Sequence, residues 1–168
     1  MTSAEHGKQT SAAGYEINIA DVVRNLPAPE GTKYAYDLVT IEGRTAYLAG
    51  QIPKQNGTLA YVGPVGRELR EQDAVAAARI CSQQALAWLN FSAGGLGNLN
   101  RILRITCYVA HDDTFSDISA VADGASKYLI DALADRGRHS RTVVGVKSLP
   151  RNAPVLVELT ASLREPVH

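Results

Sequence analysis

Arg141 opens a short apolar run, Thr142-Val143-Val144-Gly145-Val146, that closes at Leu149-Pro150. A guanidinium at the mouth of a strand presents a planar fork of donors that can grip a carboxylate in two places. Its competing employment is a structural bridge to an acid such as Glu158. His139, two residues earlier, carries an imidazole whose ordinary pKa of about 6.5 suits proton transfer near neutral pH. Its competing role is that of a solvated or structural loop histidine. Upstream, Ala49-Gly50-Gln51-Ile52-Pro53 follows an apolar run. There Gly50 permits a tight backbone and Gln51 supports the turn. Glu158 stands within the last apolar run, where an unpaired carboxylate is expensive to bury, so a partner such as Arg104 or Arg141 is expected. Tyr34 and Tyr36 share one face of a short run and read equally as pocket phenols or as interface packing.

The rest of the composition narrows the chemistry. The chain has 168 residues, 45% of them hydrophobic and 20% charged, with 17 basic and 17 acidic side chains. That length fits one domain, read as residues 15–168 behind a polar flexible tail at 1–14. A net charge of zero supplies no basic field to gather phosphates, so nucleic acid is not an expected partner. No run of about 18 apolar residues is present, so no membrane span is expected, and the polar first residues lack the apolar core of a secretory signal. A cytoplasmic location is the default. Cys81 and Cys107 fit neither a disulfide framework nor a zinc-ligand spacing, and read as buried thiols in a reducing compartment. His111-Asp112-Asp113 resembles a metal cluster only superficially; its acids suit the amino end of a helix. Trp88 reads as core or interface.

The elements that must position these groups follow from periodicity. Ile17, Ile19, Val22 and Val23 suggest a short strand or turn, and Pro27-Ala28-Pro29 punctuates the chain. Tyr34–Ile41 and Thr45–Ala49, joined at Glu42-Gly43-Arg44, read as a hairpin. Asn56-Gly57 suits a turn with positive φ, with a third short strand at Thr58–Val62. A helix is expected over Glu68–Ala93, its face formed by Val75, Ala78, Ser82, Ala85, Leu86 and Leu89, ending at Gly94-Gly95. Leu103, Ile105, Cys107 and Val109 alternate with polar neighbours as in a half-buried strand. A second helix is expected over Thr114–Ala134, with Thr114 and Asp117 as a capping box. Arg141–Lys147 and Val155–Leu163 close the order β-β-(β)-α-β-α-β-β. Two helices on one face of a mixed sheet make an α+β sandwich, and the face left without a helix implies self-association.

The run from Gly137 to Pro150, together with the Gly50-Gln51-Ile52-Pro53 turn, resembles the Rid (reactive intermediate deaminase) or YjgF-like family, in its longer endoribonuclease-L-PSP-like branch. Ala76-Ala77-Ala78-Arg79 and Val121-Ala122-Asp123-Gly124-Ala125-Ser126 add to the likeness, which covers roughly 31–164. The resemblance implies a chorismate-mutase-like fold, a homotrimer, and hydrolysis of enamines or imines of a small carboxylated metabolite with no metal or cofactor. It implies that Arg141 binds the substrate carboxylate, with Tyr34 or Tyr36, the Gly50-Gln51 turn, Cys107 and a partner strand completing the pocket. Glu158, His139 and Tyr36 are its candidate catalytic groups. Two positions depart from the family: Leu156 stands where deaminases place the glutamate that holds water, and Val143 replaces a frequent cysteine. An acid at position 156 is expected within reach of Arg141. The alternative activity is non-catalytic binding of carboxylates; ribonuclease activity is disfavoured by the neutral charge.

Overall fold

A computed structural model describes residues 17–167; the tail expected at 1–14 lies outside the described residues. The order of elements is α1 (Ile19–Arg24), β1 (Val39–Glu42), β2 (Thr45–Gln51), β3 (Lys54–Gln55), β4 (Thr58–Leu59), α2 (Glu71–Ser92), β5 (Leu99–Ala110), α3 (Ile118–Leu133), β6 (Ser140–Val146) and β7 (Val155–Leu163). Five strands form one mixed sheet in the order β1-β2-β7-β5-β6, in which only β5 and β6 run parallel. β3 and β4 form a separate small hairpin, turned at Asn56 and Gly57 with φ of 52° and 79°.

β7 shows why one face of the sheet is core. Val155, Val157, Leu159, Ala161 and Leu163 are buried, while the residues between them are half-exposed. On β5 the matching buried residues are Ile102, Ile105, Cys107 and Val109. Both long helices cover this face, α2 through Ala74, Ala78, Cys81, Ala85 and Leu89, and α3 through Val121, Ala122, Ala125 and Leu129. Small side chains let α2 and α3 approach closely. At Gly124 an added Cβ would run into the Val75 carbonyl group, whose carbon would lie 2.9 Å away.

Several local expectations change. Residues 19–24 form a helix rather than a strand or turn, since Ile19, Val22 and Val23 have helical spacing and Asn18 caps Ala20 N–H at 3.0 Å. Tyr34 and Tyr36 lie in bends ahead of β1, which starts only at Val39. The third short strand expected at Thr58–Val62 is only two residues long. α3 starts four residues later than expected: Asp117, accepting from Ala120 N–H at 3.0 Å, is its cap. Thr114 is instead tied to Asp112 in the preceding turn, with its N–H donating at 2.8 Å. Leu103 is 40% exposed, and Ile102 takes its core place. The register of β5 against β7 shifts between Ile102 and Arg104, and such a bulge reverses the facing of the residues before it, until a second shift between Leu99 and Arg101 restores it for buried Leu99.

Gly124→Ala tests the helix contact. Overpacking should cost about 1–3 kcal/mol, outweighing the gain of about 1 kcal/mol in helix propensity, and a lower urea midpoint is the expected readout.

Candidate active site

The pleat of β5 and β7 sends alternate residues to the face that, among the described residues, no long helix covers. Thr106 pairs with Glu158, and Tyr108 with Leu156. There the Tyr108 hydroxyl donates to a Glu158 carboxylate oxygen at 3.4 Å. Burial, and then the charge of Glu158, raise the Tyr108 phenol above its ordinary range. A cavity of about 360 Å³ is lined by Tyr36, Gly50, Tyr108, Leu149, Leu156 and Glu158. Glu158 also borders a neighbouring cavity of about 300 Å³, with Tyr47, Arg104, Thr106 and Thr160. Arg104 donates to Thr142 Oγ1 at 2.7 Å. The groove thus holds a carboxylate, phenols, a guanidinium and an apolar floor.

Gly50 is required here by bulk rather than by φ. A Cβ on it would collide with the Leu156 side chain, whose Cγ would lie 2.7 Å away. Gln51 is buried and spends its amide on the Ala49 carbonyl at 2.9 Å, which holds the turn. Tyr36, 50% exposed, reaches the cavity, whereas Tyr34, 63% exposed, does not line it.

Arg141 and His139 lie elsewhere. Arg141 pairs across the ladder with Ile105, a core residue, so its side chain leaves the sheet on the helix side. Its Nη1 donates to Asp123 Oδ1 at 2.8 Å and to Ser126 Oγ at 3.1 Å, and its Nη2 donates to the Ser119 carbonyl at 3.4 Å. The acid it meets is therefore Asp123, not Glu158, and the guanidinium holds the Asp123 carboxyl below its ordinary value. An acid at 156 would not reach Arg141 within one chain, because β5 stands between β7 and β6 and the two side chains leave opposite faces. Cys107 is a core residue rather than a pocket residue: it is fully buried, and burial pushes its thiol up to about 12.

His139 is half-buried beside Arg141. Its Nδ1 lies 2.6 Å from the Gly137 carbonyl and its Nε2 lies 3.0 Å from Ser126 Oγ. A carbonyl only accepts, so Nδ1 carries the proton, and in the neutral ring Nε2 accepts from the Ser126 hydroxyl. Burial lowers the His139 pKa; the Gly137 carbonyl opposes this and the charge of Arg141 adds to it. Ser126, which meets both Arg141 and His139, is not among the residues that the sequence singles out for the site. The only available signal was its place at the end of the Val121–Ser126 phrase.

These shifts set two separate pH windows. For His139 the unfolded chain takes up a proton at about pH 6.5 and the folded chain only at lower pH, so stability falls as pH drops below that value. For Asp123 the stabilising contribution is present above about pH 3.9 and is lost below it. The fall near pH 6.5 should flatten in His139→Gln, measured by urea midpoints between pH 5 and 8, whereas the more acidic loss should persist.

Comparison with known proteins agrees with this architecture. The family model described as "YjgF/chorismate mutase-like, putative endoribonuclease" matches residues 13–163. Protein TCP17 of Trypanosoma cruzi is 30% identical over 139 residues, covering 82% of this chain and 87% of that protein. The crystal structure of Atu1372 from Agrobacterium tumefaciens, a protein of unknown function, has a TM-score of 0.79 at 30% identity and covers 87% of this chain and 92% of that one. A "putative endoribonuclease" from Shewanella oneidensis has a TM-score of 0.80 at 29% identity, over 83% and 92% of the two chains. The match over nearly the whole sheet and both long helices establishes that this chain belongs to the YjgF/chorismate-mutase-like family, the Rid family that its sequence resembles.

Proposed function

We propose that this protein is a Rid-type hydrolase that releases ammonia from an enamine or imine of a small carboxylated metabolite, in clefts between the subunits of a cytoplasmic homotrimer. One observation carries the reading: the site residues fall into two separate halves. Tyr36, Gly50 and Glu158 line a cavity on the sheet face without a long helix, while Arg141 sits on β6, an edge strand. Halves that do not meet within a chain can meet between copies, when the edge of one subunit closes the groove of the next. Exposed Tyr47, Leu103 and Val144 give that sheet face the apolar surface such contacts bury.

In this arrangement Arg141 of one copy grips the substrate carboxylate and the groove of another supplies the water. Water adds across C=N as Glu158 takes its proton and passes it to the imine nitrogen, giving the carbinolamine. The hydroxyl proton then moves to the nitrogen by the same carboxylate, the C–N bond breaks, C=O forms and ammonia leaves. The imine carbon is already electrophilic, so the pocket contributes mainly position. Tyr36, which lines the same cavity, stands as a further candidate for orienting the water, whereas both ring nitrogens of His139 are engaged by Gly137 and Ser126. A second reading, a trimeric binder of small carboxylates, draws support from Leu156, whose side chain fills the space over Gly50 where the family places its water-holding acid.

Freshly generated 2-aminoacrylate separates the two readings. The hydrolase accelerates ammonia release, and Glu158→Gln should cut kcat by about 100-fold or more; a binder gives no acceleration. Sedimentation at micromolar concentration should give a mass of three chains, and a mass of one or two would remove the cleft on which the proposal depends.

A further inference from the structure

Ser126 and His139 do more than neighbour Arg141. The guanidinium nitrogen Nη1 has two hydrogens and meets two acceptors, Asp123 Oδ1 at 2.8 Å and Ser126 Oγ at 3.1 Å. Its capacity is spent. Ser126 can accept there only if its own proton points elsewhere, and the proton has a fixed destination. The Gly137 carbonyl, 2.6 Å from Nδ1, places the ring proton on Nδ1, leaving Nε2, 3.0 Å from Ser126 Oγ, as the acceptor. The chain of bonds therefore has one direction, from Arg141 Nη1–H to Ser126, from Ser126 O–H to His139, and from His139 Nδ1–H to Gly137. What remains of the guanidinium is the edge made by Nε and Nη2. Nη2 has one long bond, to the Ser119 carbonyl at 3.4 Å.

We infer that Ser126 and His139 are positioning residues that saturate Nη1 of Arg141, so that a ligand carboxylate docks side-on against Nε and Nη2. The inference rests on the proposed role of Arg141 as carboxylate anchor and adds to it the edge that is used and the groups that select it. Without Ser126, Nη1 regains a free hydrogen and the guanidinium can turn toward Asp123, which is itself half-exposed and shared with Lys127 at 3.7 Å. The charged groups facing the relay are thus Arg141 from β6 and Asp123 and Lys127 from α3. A protonated His139 would donate from both ring nitrogens, reverse the Ser126 bond and set the hydroxyl proton against Arg141.

Pyruvate, a stable small carboxylate, is the probe, titrated by calorimetry and by the Nε–H resonance of Arg141 in ¹⁵N-labelled protein. At pH 7.5 Ser126→Ala and His139→Ala should each weaken pyruvate binding by about tenfold, the effect of one charge-assisted hydrogen bond. Ser126→Thr, which keeps the hydroxyl, should restore affinity to within about twofold of the native protein. If Ser126→Ala does not fold, His139→Ala and Ser126→Thr carry the test. In the native protein pyruvate should shift the Arg141 Nε–H signal, and affinity should fall with acidification in a way that His139→Ala abolishes. Arg141→Ala distinguishes the two levels. Unchanged pyruvate affinity in Arg141→Ala overturns the anchor itself, and the inference falls with it. If Arg141→Ala loses binding while Ser126→Ala and His139→Ala retain it, the anchor stands and the relay is overturned. An unmoved Nε–H signal on saturation also overturns the side-on dock.

Discussion

The pairing of β5 with β7 is the constraint on which the rest depends. Side chains alternate along a strand with a period of two, so a register that buries Val157 against Cys107 and Leu159 against Ile105 also sets Glu158 beside Thr106 and Leu156 beside Tyr108 on the other face. A slip of one residue would thrust the Glu158 carboxylate beneath α2 and expose Val157. An unpaired carboxylate there would be costly enough to exclude the slip. The hydrophobic core and the groove are therefore specified by the same pairing, and neither can be changed without the other.

The helices supply the second half of the arrangement. α2 and α3 are rich in alanine, and their close approach at Gly124 and Val75 seats α3 where Asp123 and Ser126 meet Arg141. Arg141 leaves the sheet beside a core residue and yet ends at a partly open position. Its charge is balanced by an acid contributed by the helix above it. This accounts for a guanidinium on the covered side of a sheet: the ion pair and the serine hydroxyl replace water that the helix has displaced.

Much of this was legible in the chain. The long helices, the two-residue alternation of β7, the turn at Asn56-Gly57 and the family were readable because each rests on local pattern or on a long motif. The partners of the site were not. Glu158 was given Arg104 or Arg141 as its expected partner. Arg104 borders the same cavity while Arg141 leaves the other face, a choice that depends on strand order and register, which no single segment contains. The bulge beside Leu103 similarly inverted one end of β5. Tyr34 and Tyr36 were read as strand because their alternation is real; the backbone there bends before β1 begins. Ser126 was invisible for the opposite reason. A serine in an amphipathic helix has no distinguishing spacing, and its importance comes only from the histidine that the fold brings to it.

The fit of Leu156 over Gly50 has an evolutionary side. The glycine there has no need of unusual torsion angles among the described residues; what holds it is the volume of the neighbouring leucine. The two positions are therefore epistatic. A larger residue at 50 must displace the Leu156 side chain, and a smaller residue at 156 relieves that contact. Changes at 50 and 156 should therefore depart from additivity when combined, although each position taken alone reads as an ordinary pocket residue.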